Sequence, residues 1–91
     1  MPRYITIHRA PGLIEEEMRA NAGPVFESKY ARFLNNYVNL MDGFIATVYE
    51  ADDQAALIRE FERLGFPYEE IHEVQYASTR EEMARRMGRE P

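Results

Sequence analysis

The alternation of apolar residues predicts an α+β domain in which helices cover one side of an antiparallel sheet. Three observations carry that prediction. Residues 3–9 alternate Ile5 and Ile7 with Tyr4, Thr6 and His8, the period-2 pattern of a half-buried strand. Residues 31–40 and 44–51 are β-rich runs joined by Met41-Asp42-Gly43, and Asp-Gly between two such runs is a strong hairpin signal. Two segments of helical period lie between strands, one on each side of the hairpin.

The elements follow in order. Pro11-Gly12 ends the first strand. From Leu13 onward Ile14, Met18, Ala22 and Val25 form a helical stripe, with Glu15, Glu16 and Glu17 in the first turn where the helix dipole favours them. Gly23-Pro24 is placed to kink or split this helix. After the hairpin, Asp52 or Asp53 supplies an N-cap for a stripe of Leu57, Ile58, Phe61 and Leu64, closed by Gly65 and Pro67. Residues 70–77 read as a fourth strand with Ile71, Val74 and Tyr76. A last helix is announced by a capping box, Ser78 with Glu81 or Thr79 with Glu82. In it Met83 and Met87 lie one turn apart, and Gly88 ends it. The order β-α-β-β-α-β plus a terminal helix is that of a ferredoxin-like split βαβ sandwich with a four-stranded antiparallel sheet.

A chain of 91 residues is one domain, and one small enough that pairing with a second copy would add needed burial. Without cysteine there is no disulfide framework, thiolate metal site or cysteine nucleophile. The first ten residues lack a signal-peptide run, and no stretch is apolar for the ~20 residues that span a bilayer. A cytoplasmic protein without a membrane partner is therefore expected. Sixteen acidic against eleven basic residues give a net charge of −5, and Arg80, Arg85, Arg86 and Arg89 are interleaved with Glu81, Glu82 and Glu90. That pattern is a solvated helix face rather than a nucleic-acid footprint.

Sorting each strand by parity predicts a helix-facing set of Ile5, Ile7, Leu34, Val38, Phe44, Ala46 and Val48. The open face would then hold Tyr4, Thr6, His8, Phe33, Asn35, Tyr37, Asn39, Thr47 and Tyr49. Such an aromatic, hydrogen-bonding and nearly uncharged face has the composition of an interface core. Its expected cover is the same face of a second subunit, as in a dimeric α+β barrel, or the terminal helix of the same chain through Met83 and Met87. Tyr4, Thr6, Tyr37, Thr47 and Tyr49 are the ligand-binding candidates on that face.

Histidine occurs at two positions. In the ferredoxin-like order His8, ending strand one, and His72, opening strand four, are expected to converge at one end of the sheet, with Glu73 as the alternative neighbour of His8. Imidazole and carboxylate together are candidate ligands for a divalent transition metal. No nucleophile elbow or phosphate-binding glycine loop occurs.

The segments ITIHRAPG, FLNNYVNLMDG, VYEADDQAAL and LGFPYEEIHEV together resemble the family of small ferredoxin-like nickel-binding proteins. The resemblance covers residues 3–74 and implies the ferredoxin-like fold, self-association and binding of a divalent metal such as nickel, with His8 the best-matched ligand. The chain departs from the family pattern at Thr47, where a cysteine is usual, and at Asn21, Ala22 and Gly23, where His or Asp occurs. The function expected is a homo-oligomeric protein binding a small ligand or metal. The alternative is a dimeric α+β barrel enzyme, monooxygenase- or isomerase-like, using His8 with Tyr37, Tyr49 or Glu73 as acid and base.

Overall fold

The structure is a computed structural model describing residues 1–90. Strands β1 (Arg3–Arg9), β2 (Arg32–Asn39), β3 (Phe44–Glu50) and β4 (Glu70–Val74) form one sheet in the order β2-β3-β1-β4. Every neighbouring pair is antiparallel. Helices α1 (Glu15–Ala20) and α2 (Ala22–Glu27) connect β1 to β2, α3 (Gln54–Leu64) connects β3 to β4, and α4 (Arg80–Arg86) follows β4. The architecture is a small α+β domain with a four-stranded antiparallel sheet.

Local chemistry accounts for the boundaries. The Asp53 carboxylate caps α3 by accepting the Ala56 N–H at 2.8 Å, and Gly65 ends the helix in the left-handed conformation at φ 71°. Thr79 caps α4 by accepting the Glu82 N–H at 3.1 Å. The β2–β3 hairpin depends on Gly43, whose φ is 73° and whose added Cβ would sit 2.4 Å from the Ala10 carbonyl oxygen. Only glycine meets both conditions. The first helical segment divides at Asn21, slightly before the expected Gly23-Pro24, so Pro24 lies in the first turn of α2, where its missing N–H costs no helical bond.

The two sheet faces are reversed from the sequence expectation. Tyr4, Tyr49, Ala31, Ala51, Leu57 and Phe61 form the buried core, with Phe33 and Ile71 packed against it. The even-numbered residues of β1 and the odd end of β3 therefore lie under α3. The aromatic rings explain the choice: Phe61 meets Tyr49 edge-on at 5.4 Å between centroids, and Phe33 meets Tyr49 edge-on at 5.7 Å. Such packing buries more area per residue than valine or isoleucine would. Ile5, Ile7, Ala46 and Val48 face the other way, Ile5 being 36% exposed.

Strand β2 is split between the two readings by a bulge. Phe33 pairs with Tyr49 and Asn35 with Val48, so Leu34 is the extra residue and the parity flips there. Phe33 faces α3, whereas Asn35, Tyr37 and Asn39 face outward as expected, Tyr37 being 67% exposed. The terminal helix does not bury its methionines on the open face, since Met83 and Met87 are both more than half exposed.

A polar clamp fixes the helical layer to the sheet. Glu60 on α3 is fully buried, accepts the Tyr30 N–H at 2.9 Å and meets the Arg63 guanidinium at 2.5 Å. Arg63 also donates to the Pro24 carbonyl at 2.9 Å and reaches Glu27 at 3.4 Å, tying α3 to α2. Burial pushes the Glu60 carboxyl up, but Arg63 and the Tyr30 N–H more than offset it, leaving the group below the ordinary carboxylate range. A depressed folded value means that its contribution is complete above the unfolded value, ~4.3, and disappears as pH falls through the folded one. Glu60→Gln should lower stability by about 1–3 kcal/mol at neutral pH in urea unfolding. The gap to wild type should narrow below pH ~4.3. Equal stability at pH 7 would show that the clamp contributes nothing.

Candidate functional site

The two threonines on the central strands set the floor of the site. Thr6 of β1 and Thr47 of β3 are directly paired across the strands and point to the helical side, where their hydroxyls bond each other. His8 lies two residues on, on the same face, with Nε2 2.9 Å from Thr6 Oγ1 and 3.4 Å from Thr47 Oγ1. Its Nδ1 donates to the Pro67 carbonyl at 2.9 Å. A carbonyl accepts only, so Nδ1 carries hydrogen and Nε2 of the neutral ring is an acceptor.

Pro67 is held there by the exit from α3. The Phe66 N–H returns to the Phe61 carbonyl at 2.9 Å, and the Glu69 N–H bonds the Ile7 carbonyl at 2.8 Å, which lays residues 65–69 along the end of β1. The His8 ring also meets Phe61 edge-on at 4.8 Å. Burial pushes the His8 imidazole below its ordinary pKa, only partly opposed by the bond to Pro67, so the ring is neutral at pH 7. Burial, with the Glu60 charge adding to it, pushes the Tyr49 hydroxyl up to about 12. Tyr49 is therefore no base at neutral pH.

Above this floor lies a cavity of about 760 Å³ between the β1–β3–β2 side of the sheet and the α1–α2 segment. That size is within the range of small-molecule sites, roughly 300–1,000 Å³. Its walls are mostly apolar, with Val38 and Ile45 from the sheet, Met18 and Val25 from the helices, and Phe66 from the loop after α3. Thr47, His8 and Tyr49 line its inner end, and Asn36, exposed and paired with Thr47 across the strands, lies nearer the mouth. Neither α1 nor α2 has a buried residue, so the cavity's cover rests lightly on it.

The expected site residues divide between the two faces. Tyr4, Thr6, Thr47 and Tyr49 are buried on the helical side, and Tyr37 is exposed on the opposite side. His8 and His72 do not converge. His72 pairs with Ile5, which puts it on the open face, where it bonds Glu70 at 2.9 Å. Glu73 shares a face with His8 but pairs with Tyr4, four residues from His8, or about 13 Å along the strand. These three residues thus form no common site within the chain, and among the described residues no group of three or more His, Cys, Asp or Glu is arranged for a metal ion. The floor itself offers one imidazole and two hydroxyls without a carboxylate, a poor donor set for nickel or zinc. What sequence reasoning missed is the Pro67 carbonyl and the cavity wall. A backbone acceptor leaves no sequence signal, whereas Met18 and Val25 were visible as a helical stripe.

No family model and no curated protein sequence matches the chain. Among solved structures, the chain is similar to the crystal structure of SCO4226 from Streptomyces coelicolor A3(2), with a TM-score of 0.72 and 22% identity. The match covers 84% of this chain and 99% of that one. At that identity the likeness is one of fold.

The buried histidine yields a test with a defined sign. Its folded pKa lies below the unfolded value of ~6.5, so the unfolded chain takes up a proton first as pH falls. Its contribution is whole above pH ~6.5 and is lost as pH descends toward the folded value. His8→Gln should cost about 1–3 kcal/mol at pH 7.5 through unmade hydrogen bonds and looser packing on Phe61. It should also flatten the dependence of the urea midpoint as pH falls below ~6.5. An unchanged slope would show that another group titrates.

Proposed function

We propose that the protein is a homo-oligomeric, ferredoxin-like binding protein for a small, largely apolar molecule held between the sheet and α1–α2. The cavity carries this reading: about 760 Å³ of mostly apolar wall closing onto one small polar cluster at Thr47 and His8. Convergent polar groups at one end of an apolar cleft orient a ligand, while the walls supply most of the affinity. The strand order β2-β3-β1-β4 with its two crossovers supports the ferredoxin-like assignment. The enzyme alternative has less support, since Tyr37 is on the far face, Glu73 is remote from His8 and Tyr49 keeps its proton.

Self-association is supported by the uncovered aliphatic face. On the outer face Ile5 lies beside Val48 and Ile7 beside Ala46, with Tyr37 next to Ala46 on β2, while the β4 edge carries His72 and Glu70 beside the two isoleucines and Val74 beside Arg3. A half-exposed cluster of aliphatic side chains, with Tyr37 at its rim, has the composition of an interface. The interface and the ligand site are then on opposite sides of the sheet.

Titration with the apolar fluorophore N-phenylnaphthylamine should show saturable, blue-shifted binding at one site per chain. Ile45→Trp, which fills the cavity from the sheet side, should weaken it at least about tenfold while leaving the circular dichroism unchanged, a loss of ~1.4 kcal/mol. Absence of saturable binding, or equal binding by the filled variant, sinks the reading. Calorimetric titration with nickel or zinc should detect no site tighter than about 100 μM, ~5 kcal/mol; a tighter one would restore the metal reading.

Light scattering coupled to size exclusion should give at least twice the monomer mass. Ile5→Glu should reduce it to the monomer without unfolding the chain, since an unpaired carboxylate is costly only once the face is covered. A wild-type monomer at tens of micromolar would refute self-association; that threshold is a Kd on the order of 10 μM.

A further inference from the structure

The hydroxyl hydrogens at the cavity floor are all consumed internally, and this restricts what can bind there. His8 Nδ1–H is committed to the Pro67 carbonyl, leaving Nε2 as a single acceptor. Thr6 and Thr47 contribute one hydrogen each, and two acceptor positions need them: Nε2 and the contact between the two hydroxyls. If Thr6 donates to Nε2 at 2.9 Å, then Thr47 must donate to Thr6. If Thr47 donates to Nε2 at 3.4 Å, then Thr6 donates to Thr47. Both arrangements spend the Thr47 hydrogen inside the cluster, and the third, in which Thr6 donates to Thr47 and Thr47 donates outward, leaves the buried Nε2 without a donor at the cost of an unmade hydrogen bond. Thr6 is fully buried beneath, so the oxygen presented to the cavity is that of Thr47, with only lone pairs free.

Charge limits the ligand further. No Asp or Glu lines the cavity, so a bound cation would lack a counter-charge. The two arginines at its margin, Arg9 and Arg19, already face Glu69 and Glu15, and an anionic oxygen would meet the lone pairs of Thr47. The inner walls are aromatic at Phe33, Tyr49 and Phe66, which suits a flat ring.

Building on the cavity reading above, we propose that the ligand is a neutral aromatic molecule of the phenol class, its ring among Phe33, Tyr49 and Phe66 and its hydroxyl donating to Thr47 Oγ1. The bond extends a chain of hydroxyls that ends on the His8 imidazole and, through it, on the Pro67 carbonyl. Each donor in such a chain is polarised by the next, so the terminal acceptor prefers an O–H to an ether or ketone of equal size.

The test compares naphthol with its methyl ether, the same ring with the donated hydrogen replaced. Wild type should bind naphthol at least about tenfold more tightly than the ether. Thr47→Val, which keeps the shape but removes the acceptor, should abolish that preference and leave affinity for the ether within about twofold. Thr47→Ser should retain the preference. Should the valine variant not fold, Thr47→Cys, a weak acceptor of similar size, should cut the preference to threefold or less, about a third of its wild-type value. Equal binding of naphthol and ether by wild type, or a preference undiminished in the valine or cysteine variant, overturns the proposal while the cavity reading stands. If neither compound nor N-phenylnaphthylamine binds, the cavity reading itself has failed.

Discussion

The fold depends on the burial of three polar side chains that satisfy one another. Thr6, His8 and Thr47 lie in the middle of the helical side of the sheet, each less than a tenth exposed. An unbonded hydroxyl or imidazole nitrogen there would cost on the order of 1–3 kcal/mol. No buried polar side-chain atom among the described residues lacks a partner. The chain of bonds ends on Pro67, whose carbonyl is aimed at His8 by the turn that follows α3. The end of α3, the register of β1 with β3, and the orientation of the His8 ring are therefore one constraint. Moving β1 by a single residue would turn Thr6 and His8 outward, away from Thr47, and put Ile5 and Ile7 in their place.

That constraint decides the character of both faces. Since the polar stripe of β1 and β3 is inside, Ile5, Ile7 and Val48 are outside, the reverse of what hydropathy alone implies for these strands. Aromatic residues make the arrangement stable: Tyr4, Phe33, Tyr49 and Phe61 supply large buried areas around the polar cluster, and edge-on ring packing adds to them. The outer face then holds an aliphatic centre of Ile5, Ile7, Ala46 and Val48, flanked by Asn35 and Tyr37 on β2 and by Glu70 and His72 on β4. The Glu60–Arg63 clamp serves the opposite side, where it ties α2 to α3 at the edge of the cavity's cover.

Much of the architecture was legible in the sequence because it rests on short-range chemistry. Asp53, Gly65, Thr79 and Gly43 act where their residue types say they should, as caps and as a turn with positive φ. The face assignment was not legible, because period-2 alternation reports two sets and leaves open which of them is covered. Threonine and histidine look solvent-facing until their bonds are known, and apart from Thr6 with His8 those bonds join residues 39 to 59 positions apart. The bulge at Leu34 inverted the parity of β2 near its start, which no single-residue signal announces. The expected meeting of the two histidines failed on register. Adjacent strand ends are a matter of topology, but a shared face requires matching parity, and His72 opposite Ile5 has the wrong one.

The same geometry explains why the site's chemistry turns on Thr47. A residue at this position faces the inner end of the cavity, within reach of His8 and directly across from Thr6. A thiolate there would join the imidazole as a soft ligand pair, the kind of donor set that transition metals select. A threonine hydroxyl is neither soft nor readily ionised, and its hydrogen is taken up by the neighbouring acceptors. The imidazole it helps to hold is neutral because burial penalises the charged ring, and the neutral ring keeps its acceptor turned to the hydroxyls. What the floor offers is thus a fixed, uncharged oxygen, set at the end of an apolar cavity and polarised from behind by a chain of hydrogen bonds. Such a group discriminates by the direction of a hydrogen bond, selecting a ligand that brings its own hydrogen.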